Sequence, residues 1–449
     1  MPALLTTPRP QHLHLPGDAD FDAARAAWNV AVDQRPAAVA VPADSAQVAD
    51  VVRDAVRAGL RVAPQSTGHN AGPLAAHGLD DTVLLRTHLL DSVHVDPVAR
   101  IARVGGGVVW QPVVEAAAQH GLAALHGSSP DVGVAGYSLG GGIGWYARSL
   151  GMAAHSLTAA EVVTADGSVV RTDAHHEPEL FWALRGGGGG FGVVTSLEFR
   201  LYPVETAFAG FMLWDAVHAE ALLRAWSDWA PAAPDEVTTS FRVLRLPPMP
   251  ELPPFLRGRH VVVIDGAVLA DDESARRILA PLRAVAPEVD TFGRVPAAAL
   301  TRLHMDPEGP TPGVSDAAIL DALPAAAIDA FLSRTVAGTT SPLLAAELRQ
   351  LGGALGRPDA SAALSRLDGQ FLAFGVAIAA TPQMATAGHA AAADLVGALR
   401  ATTGHRPYLN FAEDPVDAST AFDATSARRL AQVRAAIDST GVFVANHRF

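Results

Sequence analysis

Pro64-Gln65-Ser66-Thr67-Gly68-His69-Asn70-Ala71-Gly72 follows directly on a strand-like run, Arg61 to Pro64, and is built largely of small residues. Small side chains let several backbone N–H groups converge on one anion, so the stretch has the size and chemistry of a pyrophosphate cradle. By itself it also fits an ordinary surface turn carrying a histidine. Its neighbours decide between the two. Upstream, Ala37 to Val41 reads as a strand, and Asp44 or Ser45 caps a helix that buries Val48, Val51, Val52, Ala55 and Val56 and stops at Gly59. The cradle therefore closes a β-α-β unit.

Working outward, short strand-like runs follow at Thr82 to Leu85, Val93 to Val95 and Ile101 to Val104, and then a helical stretch from Trp110 to His120. Ala160 to Thr164, the Asp166-Gly167 turn and Ser168 to Thr172 make a hairpin, Glu177 to Arg185 a short helix, and Val193 to Leu201 a strand ending before Pro203. Beyond Pro203 the composition shifts toward Ala, Leu and Pro, with strands expected at Thr238 to Leu244, His260 to Val263 and Phe371 to Ile378 and an amphipathic helix over Ala385 to Ala401. The expected class is α+β: small sheets with flanking helices in a first unit, and an antiparallel sheet in a second.

The second decisive stretch is Ser129-Pro130-Asp131-Val132-Gly133-Val134-Ala135-Gly136-Tyr137-Ser138-Leu139-Gly140-Gly141-Gly142-Ile143-Gly144-Trp145, whose six glycines would let a backbone lie flat against a planar or phosphorylated ligand. Gly142 to Ala147 also fits G-x-G-x-x-A, with Glu161 about 20 residues on, as in a Rossmann dinucleotide site. Context opposes that reading. No hydrophobic strand runs into Gly142, and Glu161 opens the run Val162-Val163-Thr164 rather than ending a strand.

Composition narrows the chemistry further. At 449 residues, with 49% hydrophobic and 18% charged, the chain is globular and long enough for two or more domains. A net charge of -13 without a basic cluster argues against a nucleic-acid partner. Met1 to Leu15 lacks a signal-length apolar stretch, and no segment reaches the roughly 18 apolar residues of a membrane span, so a cytoplasmic protein is expected. There is no Cys, hence no thiolate nucleophile or Cys-ligated metal, and all 33 basic residues are Arg, which excludes Schiff-base lysines and Walker-type loops.

Three motifs in order, the loop around His69, the strip Val132 to Gly144, and Pro178-Glu179-Leu180-Phe181-Trp182-Ala183-Leu184-Arg185-Gly186-Gly187-Gly188-Gly189-Gly190-Phe191-Gly192-Val193-Val194-Thr195, together resemble FAD-linked oxidases of the berberine-bridge-enzyme and hydroxynicotine-oxidase type, with a vanillyl-alcohol-oxidase-like FAD-binding fold. Tyr408-Leu409-Asn410-Phe411 and Gly441 to His447 look like that family's C-terminal segment returning to the flavin domain. The resemblance implies an FAD-binding part over residues 1–204, a substrate-binding part over 205–405 and a returning segment over 406–449.

It also implies roles. His69 matches the histidine bonded to the flavin; Ser66, Thr67, Gly68 and Asn70 match pyrophosphate contacts. Val132, Gly133, Gly136, Gly141, Gly142 and Gly144 match the strip beneath the isoalloxazine and ribityl chain, Val194 an adenosine contact, and Asn410 a residue near the pyrimidine. Departures are visible too. Ser129 stands where many relatives place a second flavin-linking Cys, Gln65 opens the first loop where Arg is usual, and Gly190 stands where Asn is frequent.

The implied activity is hydride transfer from a C–OH or C–N centre of a small molecule to FAD and on to O2; a dehydrogenase with another acceptor, or a redox-neutral cyclase or binding protein using FAD as scaffold, are the alternatives. A group that accepts or orients the substrate proton is sought among four tyrosines. Tyr408, in the C-terminal motif, is the first candidate and Tyr146, beside the glycine strip, the second. Arg349 and Gln350, on an expected strand, are candidate substrate contacts, although Arg more often has a structural partner. His304, Asp306 and Glu308 lie in a proline-flanked loop and are not read as a metal site.

Overall fold

The computed structural model describes residues 12–250, 253–336 and 340–448. Most of the Met1 to Leu15 stretch lies outside them. Asp44 caps the helix Ser45–Arg57 as its sequence requires, its carboxylate accepting the Gln47 N–H at 2.8 Å. Val48, Val51, Val52 and Ala55 from that helix bury against a four-stranded sheet in which Ala38–Ala40, Thr82–Arg86 and Arg61–Gln65 run parallel and Leu13–His14 forms the antiparallel edge. Arg61–Gln65 has a second neighbour: Phe443 pairs with Val62, so the end of the chain returns to this sheet.

An antiparallel five-stranded sheet follows, ordered Val93–Asp96, Ile101–Gly105, Val193–Arg200, Leu157–Val163 and Val169–Asp173, the last two joined through the Asp166-Gly167 turn. Trp110–Ala118 and Pro178–Leu184 pack on it through Trp110, Val113, Leu180 and Trp182. Glu161 sits in mid-sheet, its carboxylate accepting the Thr195 hydroxyl at 2.7 Å, and Gly142 follows a helix; neither arrangement is that of a Rossmann turn. The glycine strip is not wholly flat. Val134–Leu139 coils into a short helix because Val134 and Ala135 bury beside Trp110 and Val113.

Between residues 206 and 406 the chain builds a nine-stranded sheet. Its long strands Thr206–Asp215 and Gly313–Leu320 and the short Val289–Asp290, Gly293–Pro296 and His405–Arg406 were not expected from the sequence. Period-two alternation gives the sheet two different faces. Phe241, Val243, Ile264, Leu348 and Phe371 point to a core shared with helices Ala219–Trp229, Ala325–Thr335 and Pro382–Arg400. The intervening residues turn toward the small sheets, and a large cavity lies between. Among the described residues no helix is long and apolar enough to cross a membrane.

Candidate active site

The cavity measures about 1150 Å³, above the usual 300–1,000 Å³ of a single-ligand pocket. The strand-end loop supplies Ser66, Thr67, Gly68, His69 and Asn70 to its wall. Val132, Gly133, Gly136 and Val194 join them from the glycine strip and the five-stranded sheet, and Tyr408 and Asn410 from the returning segment. Ser66 and Asn410, 344 positions apart in sequence, thus meet at one place.

His69 is held on three sides. The Trp28 indole stacks on the imidazole, with ring centroids 4.0 Å apart at 17°. Nδ1 shares a hydrogen bond with the Thr67 hydroxyl at 2.8 Å, while Nε2 is buried without a hydrogen-bond partner, 3.6 Å from Asp131 Oδ1. Burial alone would raise the Asp131 carboxyl, but His69, the Gly309 N–H at 2.9 Å and the Trp28 Nε1–H at 2.7 Å hold it well below the usual carboxylate range. The Ser129 hydroxyl donates to the same carboxylate at 3.0 Å, so the residue in place of the second linking Cys orients Asp131. Asn70 ties the loop to the returning segment, donating to the Ala412 carbonyl at 3.1 Å and accepting from Asn446 Nδ2 at 2.7 Å through its own carbonyl.

Glycine is needed along this wall for two different reasons. At Gly136, Gly188 and Gly189 a Cβ would meet nothing within 4 Å, so bare backbone faces open cavity there. At Gly141, Gly142 and Gly144 the reason is packing, and these three, expected under the flavin, do not line the cavity. A Cβ on Gly144 would fall 1.9 Å from the His126 carbonyl oxygen, one on Gly142 2.4 Å from the Tyr137 ring, and one on Gly141 3.0 Å from the Tyr408 hydroxyl. Gly140, which does line the cavity, would place a Cβ 1.8 Å from Asn410 Oδ1.

The two candidate tyrosines part company. Tyr408 lies on the cavity wall, stacks on Phe411 and accepts the Gly142 N–H at 2.9 Å. Burial pushes its hydroxyl above the ordinary value of 10, so it stays protonated. Tyr146 is 1% exposed in a core with Trp145, Ala209 and Leu300, its hydroxyl donating to the Ala297 carbonyl at 3.3 Å, and it does not reach the cavity. It is removed from the site because its ring packs into the core that Ala207, Ala209, Ala267 and Leu300 form with Trp145.

The opposite wall is a charged network that sequence reading saw only at its edge. Arg349 lines the cavity, its Nε donating to Glu347 at 2.7 Å and its guanidinium lying 5.5 Å from the Phe411 ring centroid; Gln350 points away, its side chain binding Thr239 and Ala230. His304 stands with Nε2 3.3 Å from Glu347 and Nδ1 2.9 Å from Asp265, the latter at ion-pair distance without a hydrogen bond. Burial and Arg242 alone would lower the His304 pKa; Asp265, Asp306 and Glu347 overcome both and push it up to about 9. Burial likewise disfavours the Glu347 carboxylate, but Arg349 and His304 hold it well below the usual range. Arg242 pairs with Asp265 and donates to the His304 carbonyl at 2.9 Å. Asp306 and Glu308 go elsewhere, to the Ser128 hydroxyl and to Arg302.

Gln65 proves not to leave the first loop without positive charge. Arg86, from the neighbouring strand, donates to the Gln65 side-chain oxygen and to the Ala26 carbonyl at 2.9 Å, a buried cation directly behind the cradle whose pKa burial lowers to about 10. Open backbone at Gly136, Gly188 and Gly189, a buried imidazole nitrogen without a partner, and a cation behind a ring of small residues together fit a flat, diphosphate-bearing cofactor.

Residues 36–173 match the FAD-binding-domain family. The chain carries an FAD-binding domain. Its sequence is 40% identical over 200 residues to (R)-6-hydroxynicotine oxidase of Paenarthrobacter nicotinovorans, covering 44% of this chain and 43% of that protein, and 34% identical over 207 residues to glucooligosaccharide oxidase of Sarocladium strictum, covering 45% and 42%. The chain thus spans less than half the length of these curated relatives in sequence alignment. In three dimensions the likeness extends through both units. The crystal structure of 6-hydroxy-D-nicotine oxidase from Arthrobacter nicotinovorans superposes with a TM-score of 0.81 at 26% identity over 96% of each chain, and Physcomitrella patens BBE-like 1 with 0.83 at 20% over 97% and 96%. The FAD-binding domain and the nine-stranded sheet together have the α+β fold of these two structures.

Proposed function

We propose that this chain is an FAD-linked oxidase acting on a C–OH or C–N centre of a small molecule, with FAD bonded once, through His69, and O2 as the electron acceptor. The observation that carries the reading is the shared cavity: the His69 loop and bare glycine backbone on one side, a protonated tyrosine and a compensated buried charge network on the other. The division into residues 1–204, 205–405 and 406–449 belongs to the same proposal, supported by sheets that fall within 12–200 and 206–406 and by the Val62–Phe443 pairing.

Bound FAD would supply the hydride acceptor for the substrate carbon and the route of its electrons to O2. The chain's residues supply the rest. Trp28 and Thr67 fix the His69 ring, and Asp131 stands 3.6 Å from its Nε2. Ser66, Thr67 and Gly68 present small groups to the diphosphate, with Arg86 behind them. Tyr408 orients: a hydroxyl that remains protonated and takes a backbone N–H can donate to a substrate oxygen or nitrogen but is a poor base. Arg349, fixed by Glu347 and Phe411, is a second donor on the facing wall.

The test is anaerobic mixing of the flavin-loaded protein with small alcohols and amines, followed by admission of oxygen. Bleaching of the flavin absorbance, then its recovery with one equivalent of peroxide, is the expected result. Bleaching without recovery in oxygen would replace the oxidase by a dehydrogenase.

A further inference from the structure

The sheet face that meets the cavity changes character along its strands. In one pair of cross-strand rows it is charged: Ser240 lies opposite both Asp265 and Arg349, and Arg242 opposite Glu347. One row further, about 7 Å along the strands, Leu244 lies opposite Val261 and Ala345, and Ala345 opposite Val376. Leu246 and Ile378 continue the apolar part. Leu244, Leu246, Ala345, Val376 and Ile378 are all only half-buried, and Leu213, Val261 and Val263 pack against Leu244 and Leu246. Between Val261 and Val376 the row carries no polar side chain.

The charged end lies toward the flavin domain, because Arg349 sits over Phe411, and Phe411 stacks on Tyr408, which binds the Gly142 N–H. Arg349 uses Nε for Glu347, and its two terminal nitrogens have no hydrogen bond among the described residues, leaving donors aimed at the cavity. A ligand spanning both ends therefore meets donors at its head and hydrocarbon along Leu244, Ala345, Val376 and Ile378, with the Ser315 hydroxyl at the edge of the first row, beyond Val376.

We propose that the site takes an elongated molecule with an oxygen-bearing, oxidisable head and an apolar tail, the head against Arg349 and Tyr408 and the tail along Leu244, Ala345, Val376 and Ile378. The proposal rests on the oxidase reading of the same site. A sugar chain is the wrong partner for those rows, since each hydroxyl buried there without a hydrogen bond costs about 1–3 kcal/mol in general. An alkyl tail gains with every methylene it removes from water.

Calorimetric titration of the flavin-loaded protein with n-alkanols from butanol to decanol, and with maltotriose, tests it without requiring turnover. The affinity is expected to rise about fourfold per methylene until the rows are filled, and maltotriose is expected to give no heat. Val376→Thr, which keeps the volume and adds a hydroxyl, and Leu244→Ala should each flatten the rise while flavin loading stays the same. Chain-length-independent binding, no alkanol binding, maltotriose binding as tight as decanol, or both variants binding like the wild type would each overturn the proposal. Length-dependent binding with neither flavin reduction nor peroxide overturns the oxidase reading and leaves the apolar-tail assignment standing.

Discussion

Trp28 lies flat on His69, 4.0 Å between ring centroids, and its Nε1–H fixes Asp131, the carboxylate beside the same imidazole. One indole thus sets both the plane of the histidine and the position of the carboxylate beside it. If His69 bears the flavin, His69→Ala removes all acid-stable flavin, seen as loss of in-gel fluorescence. Trp28→Ala keeps the nucleophile but frees its ring, so covalent incorporation of added FAD slows while the non-covalent capacity persists. Retention of acid-stable flavin in His69→Ala would refute the linkage.

Ser129 donates to Asp131 and has no thiol to offer, so a proteolytic map is expected to give a single flavin-bearing peptide, the one containing His69. Ser129→Ala removes one hydrogen bond, worth about 1 kcal/mol. It leaves that map unchanged.

Tyr408→Phe preserves the ring stacked on Phe411 and deletes the oxygen that receives the Gly142 N–H. Flavin loading is expected to stay intact, with a stability cost of about 1–3 kcal/mol from the orphaned amide. Anaerobic stopped-flow should show flavin reduction by substrate slowed on the order of 10²-fold, the lower end for a positioned proton-handling group. Tyr146→Phe, remote from the cavity, should reduce at the wild-type rate.

His304 gives the stability a pH signature. Its folded pKa is pushed up to about 9 from an ordinary 6.5, so the folded state holds the proton more tightly than the unfolded chain. The stabilisation is complete below pH 6.5 and is lost as pH rises through 9. Wild-type Tm should therefore fall across that window. His304→Gln should start lower, by about 3–5 kcal/mol for a broken buried pair, and show a flatter profile.

Local chemistry made much of this fold readable. Asp44 as helix cap, the Asp166-Gly167 turn, and the strand Phe371–Ile378 appear where capping, turn and alternation rules put them. Thr206–Asp215 escaped because Ala207 to Trp214 is apolar on both faces, which erases the period-two signal. In the site, the His69 loop was legible from its small residues, whereas Gly141, Gly142 and Gly144 looked like ligand-facing glycines and serve packing against Leu364, Tyr408, Tyr137 and the His126 carbonyl. The charge network was missed because its members are single polar residues scattered among strands. The available signal was one residue's oddity: Asp265 interrupts the apolar run Val261 to Val268, and such a residue is rarely buried unless paired.

The pairing of Val62 with Phe443, and of Asn70 with Asn446 across 376 residues of chain, also has a meaning for the order of events during biosynthesis. The loop around His69 leaves the ribosome well before the strand and side chain that hold it, which follow almost four hundred residues later. At translation rates of about 5–20 residues per second, the cradle waits tens of seconds in an incomplete state. Under the proposed function, the cradle is complete for FAD only once residues 442–446 have been made.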